Sequence, residues 1–345
     1  MKVGKYLSEL ILTFTKLNIT FVSTVPARPL YDAHFGGSFY FKGTMRAFNK
    51  PALSFNEQIN QLINRGLIIE NENKALSYLS NISYYRLSAY WYTFLEIPQT
   101  EHQFKPNSRL SQVIDTYVFD RKLRFLIFEE IERIEIALRT QIIYHYCHSH
   151  GSYWYENETL FSNRQYFDKF QILLQTEINR TNEVFIKHYK ENYNLPENPP
   201  AWMVLELASF GQISTLYKNL KRTNDAKKKI AKHFGITEPV LESWLECLSL
   251  VRNICAHHMR LWNRKLPKKP TIPRNPQNTW IEFIPEESKQ NRIYLNLVVI
   301  QYLLKSFIPN SNFSKRLKQL LSEYPDIPIQ YMGFPVSWKE EEIWK

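Results

Sequence analysis

Glycine is scarce in this chain of 345 residues, with 9 in all. A phosphate loop of the G-x-G-x-x-G kind has little to be built from, and collagen-like and dinucleotide-binding architectures lose their footing. Cysteine is scarcer still, at three: Cys147, Cys247 and Cys255. That is too few for a disulfide framework, and no C-x-x-C pair exists to build a four-cysteine zinc site, so a reducing, cytoplasmic compartment is expected. Cys147, His148 and His150 lie close in sequence, as do Cys255, His257 and His258. Neither group has a second pair at ligand spacing, and no metal or other cofactor is expected. Uncharged apolar runs of 18 residues are missing, which argues against a membrane-spanning helix. Tyr6 to Val25 is fairly apolar, but Glu9 and Lys16 interrupt it where a signal peptide wants continuity. Period-two alternation is almost absent, and no paired-carboxylate site or G-x-S-x-G elbow is found.

What the chain has in quantity is aromatic and basic. Aromatics make up 15%, and 44 Lys and Arg against 33 Asp and Glu give a net charge of +11. The excess points to a polyanionic partner, nucleic acid first and a membrane surface second. A hydrophobic share of 44% with 22% charged residues excludes wholesale disorder.

The pattern predicts an all-α, multi-helical fold. Residues 1–44 show little helical period and read as an irregular extension, with Met45 as a candidate true start. Residues 45–107 read as an N-terminal helical subdomain with a linker, 108–325 as the main helical domain, and 326–345 as an irregular aromatic tail. Ser54 and Glu57 are spaced as a capping box, Phe55, Ile59, Leu62 and Ile63 share a face, and Gly66 is a natural stop. Helices are predicted over 72–79 and 84–95, and residues 96–107, with Pro98 and Pro106, read as linker. Leu110 to His148 has neither proline nor glycine, and its apolar residues recur at three- and four-residue steps, so it reads as one long helix or two joined by a kink. Further helices are predicted at about 163–192, 201–208, 212–220, 225–233, 238–263, 287–307 and 312–323. Pro267, Pro270, Pro273 and Pro276 make a rigid, basic connector.

The chemistry concentrates in Val251-Arg252-Asn253-Ile254-Cys255-Ala256-His257-His258-Met259-Arg260-Leu261-Trp262-Asn263-Arg264. On a continuous helix, Asn253, His257, Arg260 and Arg264 line one face, an amide, an imidazole and two guanidiniums with no acid among them. That is a poor core stripe and a good surface for anions. His258 joins Val251, Cys255 and Trp262 on a more apolar face. Arg252 lies about 140° around the helix from His257, so the two converge on one phosphate only through a kink or a second copy. RNA carries its own nucleophile in the 2′-hydroxyl, and a base, an acid and cations suffice to cut it without metal. An Arg followed five residues later by His is common by chance, and a packed, satisfied histidine remains the plain alternative.

The same segment resembles the signature of the bacterial Abi-like abortive-infection proteins of the AbiD/AbiF type. The resemblance extends to Lys50-Pro51-Ala52-Leu53-Ser54 with Glu57-Gln58-Ile59, and to Tyr84-Tyr85-Arg86-Leu87-Ser88-Ala89-Tyr90-Trp91. It continues through Phe119-Asp120-Arg121-Lys122-Leu123-Arg124 and Ile131-Glu132-Arg133-Ile134-Glu135, and reaches Met332-Gly333-Phe334-Pro335 with Trp338. These proteins belong to the HEPN superfamily, whose ribonucleases share an R-x4-6-H motif. The resemblance implies a HEPN-type helical core, RNA as partner (target and possibly a partner non-coding RNA), and a homodimer with one metal-independent cleavage site. It gives Arg252 the scissile phosphate, His257 the proton and Asn253 a positioning role. An idle RNA-binding protein working with a non-coding RNA, and a purely structural helical adaptor, are the competing classes.

Other cations and rings are weighed beside these. Arg260, Arg264, Lys265, Lys268 and Lys269 are candidate RNA contacts around the motif, and Lys227-Lys228-Lys229 is a separate basic cluster. In the aromatic stretch 84–91, Arg86 and Tyr90 are the residues expected to reach RNA, although the stretch as a whole also fits a helix core.

Overall fold

The computed structural model describes residues 49–345. The predicted extension 1–44 and the candidate start at Met45 lie outside the described residues. Lys50–Lys345 makes one compact unit. Twelve α-helices and no strand are found among the described residues, so the chain is all-α as its pattern predicts.

The N-terminal helices form where their caps dictate. In the box that opens α1 (Phe55–Asn64), the Ser54 N–H donates to Glu57 Oε2 at 2.6 Å and the Glu57 N–H to Ser54 Oγ at 3.3 Å. Asn71 caps α2 (Glu72–Ile82). Ser83, at φ +73°, closes α2 and caps α3 (Tyr84–Trp91). The predicted linker is not loose. Its backbone folds back on itself through Glu96 N–H to Gln103 O and Lys105 N–H to Phe94 O, and it buries Phe104.

A single helix, α4 (Leu110–His150), carries the architecture. Its 41 residues span about 60 Å. It is one continuous helix rather than two, and Gly151 at φ +83° ends it. It is packed on several sides, by α3, α9 (Asp225–His233), α10 (Glu238–Ala256), α11 (Ile293–Phe307) and α12 (Phe313–Glu323). That is why its buried residues include Asp120, Arg124 and Glu130 as well as an apolar stripe.

The predicted helix over 163–192 is two, α5 (Arg164–Arg180) and α6 (Val184–Asn192). Thr181 turns to extended backbone between them, and its hydroxyl accepts the Glu183 N–H in place of a helical carbonyl. A short α7 (Ala201–Val204) and α8 (Phe210–Asn219) follow. The proline-rich connector runs beside α10, where Trp244 Nε1 donates to Thr271 O at 2.8 Å and stacks on Trp280. The aromatic tail is part of the core: Trp338, Ile343 and Trp344 are buried. The Trp344 carbonyl accepts from Ser314 Oγ and Lys318 Nζ on α12.

Candidate nucleic-acid interface

The motif helix α10 ends seven residues before its sequence suggests, at Ala256 rather than Asn263. His258 adopts the left-handed conformation at φ +54°. Its N–H donates to Cys255 O at 3.1 Å and the Met259 N–H to Ile254 O at 3.0 Å, the paired bonds of a Schellman closure. Glycine usually takes that left-handed position, and residues 240–266 hold neither glycine nor proline, so nothing local announces the stop.

Beyond the turn the chain dives back into the core. Leu261 and Trp262 are buried, and their N–H groups donate to the fully buried Asp120 carboxylate at 3.2 and 2.6 Å. The Tyr90 hydroxyl donates to it at 2.7 Å, and the Arg124 guanidinium pairs with it one turn along α4. Burial pushes the Asp120 carboxyl up, while Arg124 and the backbone donors pull it down. All of these partners are donors, an environment only the ionised form satisfies. Two further bonds tie the turn to α3. Arg86 Nη1 donates to His258 O, and Arg260 Nη1 donates to Ala89 O, both at 2.7 Å.

This scaffold presents Asn253 and His257 to solvent on the last turn of α10. The His257 N–H donates to Asn253 O at 3.0 Å, so His257 continues the helical path by one residue. Arg252 is half-buried, with its guanidinium 5.7 Å from the Phe128 ring centroid and Nη1 3.5 Å from Asn253 Oδ1. Neither Arg252 nor His257 is ion-paired among the described residues. Glu135 lies within electrostatic reach of Arg252 but makes no ion pair with it, so the Arg252 guanidinium is available to an outside anion.

Several expectations need correction. Arg260 and Arg264 do not extend a helical stripe from His257, because the helix has stopped; both are half-buried in the segment after the turn. Tyr90 cannot stack on a base, since it is buried and bound to Asp120. His258 is exposed rather than set on an apolar face. Lys268 and Lys269 are exposed but paired, with Glu246 at 3.0 Å and Glu287 at 2.9 Å. Arg86 is exposed beside the turn, and Lys265 is exposed with no ion pair among the described residues. Burial pushes the Cys247 and Cys255 thiols up to about 12, which leaves them inert as nucleophiles. No three His, Cys, Asp or Glu side chains among the described residues come together as a metal site.

Sequence reasoning did not single out Asp120, the anchor of the whole turn. The only local signal was its place four residues before Arg124, which reads as an ordinary helical pair. Arg292, whose Nη1 donates to Asn263 Oδ1 at 2.8 Å, was also missed.

The fold and site define an all-α protein that holds an exposed amide and imidazole beside a half-buried guanidinium at the end of one helix. The profile of the Abi-like protein family matches residues 77–263, over half of the chain, and the chain belongs to that family. Membership implies a part in abortive infection, the defence against phage. No curated protein and no solved structure matches the chain.

Proposed function

We propose that this protein acts on RNA, cutting it without a metal at a site that two copies build from Arg252, Asn253 and His257, in the manner of HEPN ribonucleases. The observation that carries the reading is the turn itself: a solvent-facing histidine and a half-buried arginine, neither in an ion pair among the described residues, on a buried support. His257 takes the proton of the 2′-hydroxyl, whose oxygen attacks the adjacent phosphorus. The 5′-oxygen leaves with a proton from the second copy's imidazole, and a 2′,3′-cyclic phosphate and a 5′-hydroxyl result. Arg252 offsets the charge that builds on the phosphate, and Asn253 orients it.

Two features support pairing of copies. Arg252 and His257 lie about 140° apart around α10, too far for one chain to place both on one phosphate. On α4, Phe125 is 61% exposed and Ile136 55%, three residues before and eight after the Phe128 whose ring lies under Arg252. Large exposed apolar side chains beside a charged site favour burial against another surface.

The test is cleavage of single-stranded RNA by wild type and His257→Ala. Loss of at least about a hundredfold in rate is expected in the variant, with RNA affinity retained. Undiminished cleavage in His257→Ala overturns the site, and loss of wild-type cleavage in EDTA overturns the metal-independent route. Tight RNA binding by a wild type that never cleaves supports instead the idle RNA-binding protein.

A further inference from the structure

Lys268 and Lys269 are neutralised by Glu246 and Glu287. Three half-buried arginines besides Arg252 are not. Arg260, Arg264 and Arg292 form no ion pair among the described residues, and each makes a single guanidinium hydrogen bond. These run to Ala89 O, to Arg260 O at 3.4 Å and to Asn263 Oδ1. Each guanidinium carries five donors, so most of the fork is unspent. Burial pushes all three down, and Arg260 stands near enough to Arg264 and to Arg292 for both pairs to repel. Asp120, within electrostatic reach of Arg260 and Arg264, is already occupied by Tyr90, Arg124 and two backbone N–H groups.

The fold makes room for this crowding. Gly333, at φ +91° in the Met332-Gly333-Phe334-Pro335 stretch, packs directly on Arg292. A Cβ there would lie 2.9 Å from Arg292 Cβ and 3.0 Å from Lys289 O. Arg292 also sits at the N-cap of the 15-residue α11, where no side chain caps the helix and no acid lies in its first turn. The positive end of that helix adds to the same field.

We propose that Arg260, Arg264 and Arg292 form a phosphate-binding site, separate from the scissile position at Arg252 and His257. It holds a second backbone phosphate of the bound RNA. The RNA identity rests on the function proposed above; the phosphate chemistry does not, and a free nucleotide or inorganic phosphate presents the same group.

The test measures the affinity of the full chain, in the His257→Ala background so that RNA is not consumed, for a fluorescent single-stranded RNA across a salt series. Thermal shift in phosphate against chloride at equal ionic strength runs beside it. Arg292→Gln and Arg264→Gln are each expected to weaken RNA binding about five- to tenfold and to reduce the log–log salt slope by about 0.7. Arg292→Lys, which keeps charge but loses the fork, falls between. Two variants on different segments keep the test valid if one misfolds. RNA binding unchanged in both folded variants overturns the site. If RNA does not bind the parent but phosphate stabilises it and not the variants, the site stands with free phosphate as ligand, and the RNA reading fails. Neither RNA binding nor a phosphate shift in the parent overturns the site as well.

Discussion

Single residues decide whether the motif is presented or hidden. Asp120 holds the N–H groups of Leu261 and Trp262, four and five residues beyond His257, from a helix about 140 positions earlier in the chain. Asp120→Asn leaves the Arg124 guanidinium unpaired in the interior and turns an amide donor toward other donors. A loss of about 3–5 kcal/mol is expected, read by denaturant unfolding, with faster hydrogen exchange at the Leu261 and Trp262 amides. An unchanged midpoint would show that the carboxylate is not the anchor. His258 makes the opposite case. Its side chain is exposed, its backbone is left-handed, and its carbonyl alone contacts Arg86. His258→Gly should therefore gain about 0.5–1 kcal/mol and leave the proposed RNA cleavage within twofold. Loss of cleavage in that variant would move the proposed proton transfer from His257 to His258.

At the scale of elements, buried polar groups tie helices together and set limits in pH and packing. Lys227 on α9 is fully buried; its ammonium donates to the carbonyls of Lys218 and Leu220 and pairs with Glu242 on α10 at 2.8 Å. Arg222 grips the same carboxylate with two nitrogens. Burial alone would raise the Glu242 carboxyl, but Arg222 and Lys227 hold it below its ordinary value of 4.5. A carboxyl lowered by folding contributes stability above its unfolded value, and that contribution is lost as pH falls through the folded one. The melting temperature is expected to drop below about pH 4.5, and Glu242→Gln should be less stable at neutral pH yet flatter across the acid range. A parallel acid profile in the variant would remove Glu242 from the account. On α11, Asn296 is fully buried and neither end of its amide has a partner. Asn296→Leu keeps the volume and removes two desolvated groups, so stability should rise by about 1–2 kcal/mol in thermal unfolding. The helices themselves were largely legible: 225–233 is bounded by Asn224 and Asp225 at its start and basic residues at its end, and the structure has Asp225–His233. The end of α10 was not, because a left-handed histidine carries no mark that distinguishes it from a helical one.

Across the whole molecule, the chain closes on its C-terminal tail. Trp344 reaches the rings of Tyr294, Phe313 and Trp338, and Glu341 accepts the N–H groups of Glu282 and Phe283 at 2.8 Å each. Removal of Glu341–Lys345 is expected to cost at least about 4 kcal/mol, since a fully buried tryptophan leaves with two satisfied backbone donors. A truncated protein that unfolds at the parental denaturant midpoint would contradict this. The sequence showed the tail only as aromatic and irregular, because it lacks a period, and a segment without a period gives no hint of which surface it covers.

Helical class and most helix starts followed from the residues alone, since spacing and capping are local physics; the choice of Arg252, Asn253 and His257 as a candidate site came from a family resemblance. Where α10 stops, why Tyr90 turns inward and which guanidiniums stay unpaired were settled by contacts between segments far apart in the chain. A hydrogen bond or ion pair is decided by which groups meet, and that meeting is a property of the packed chain.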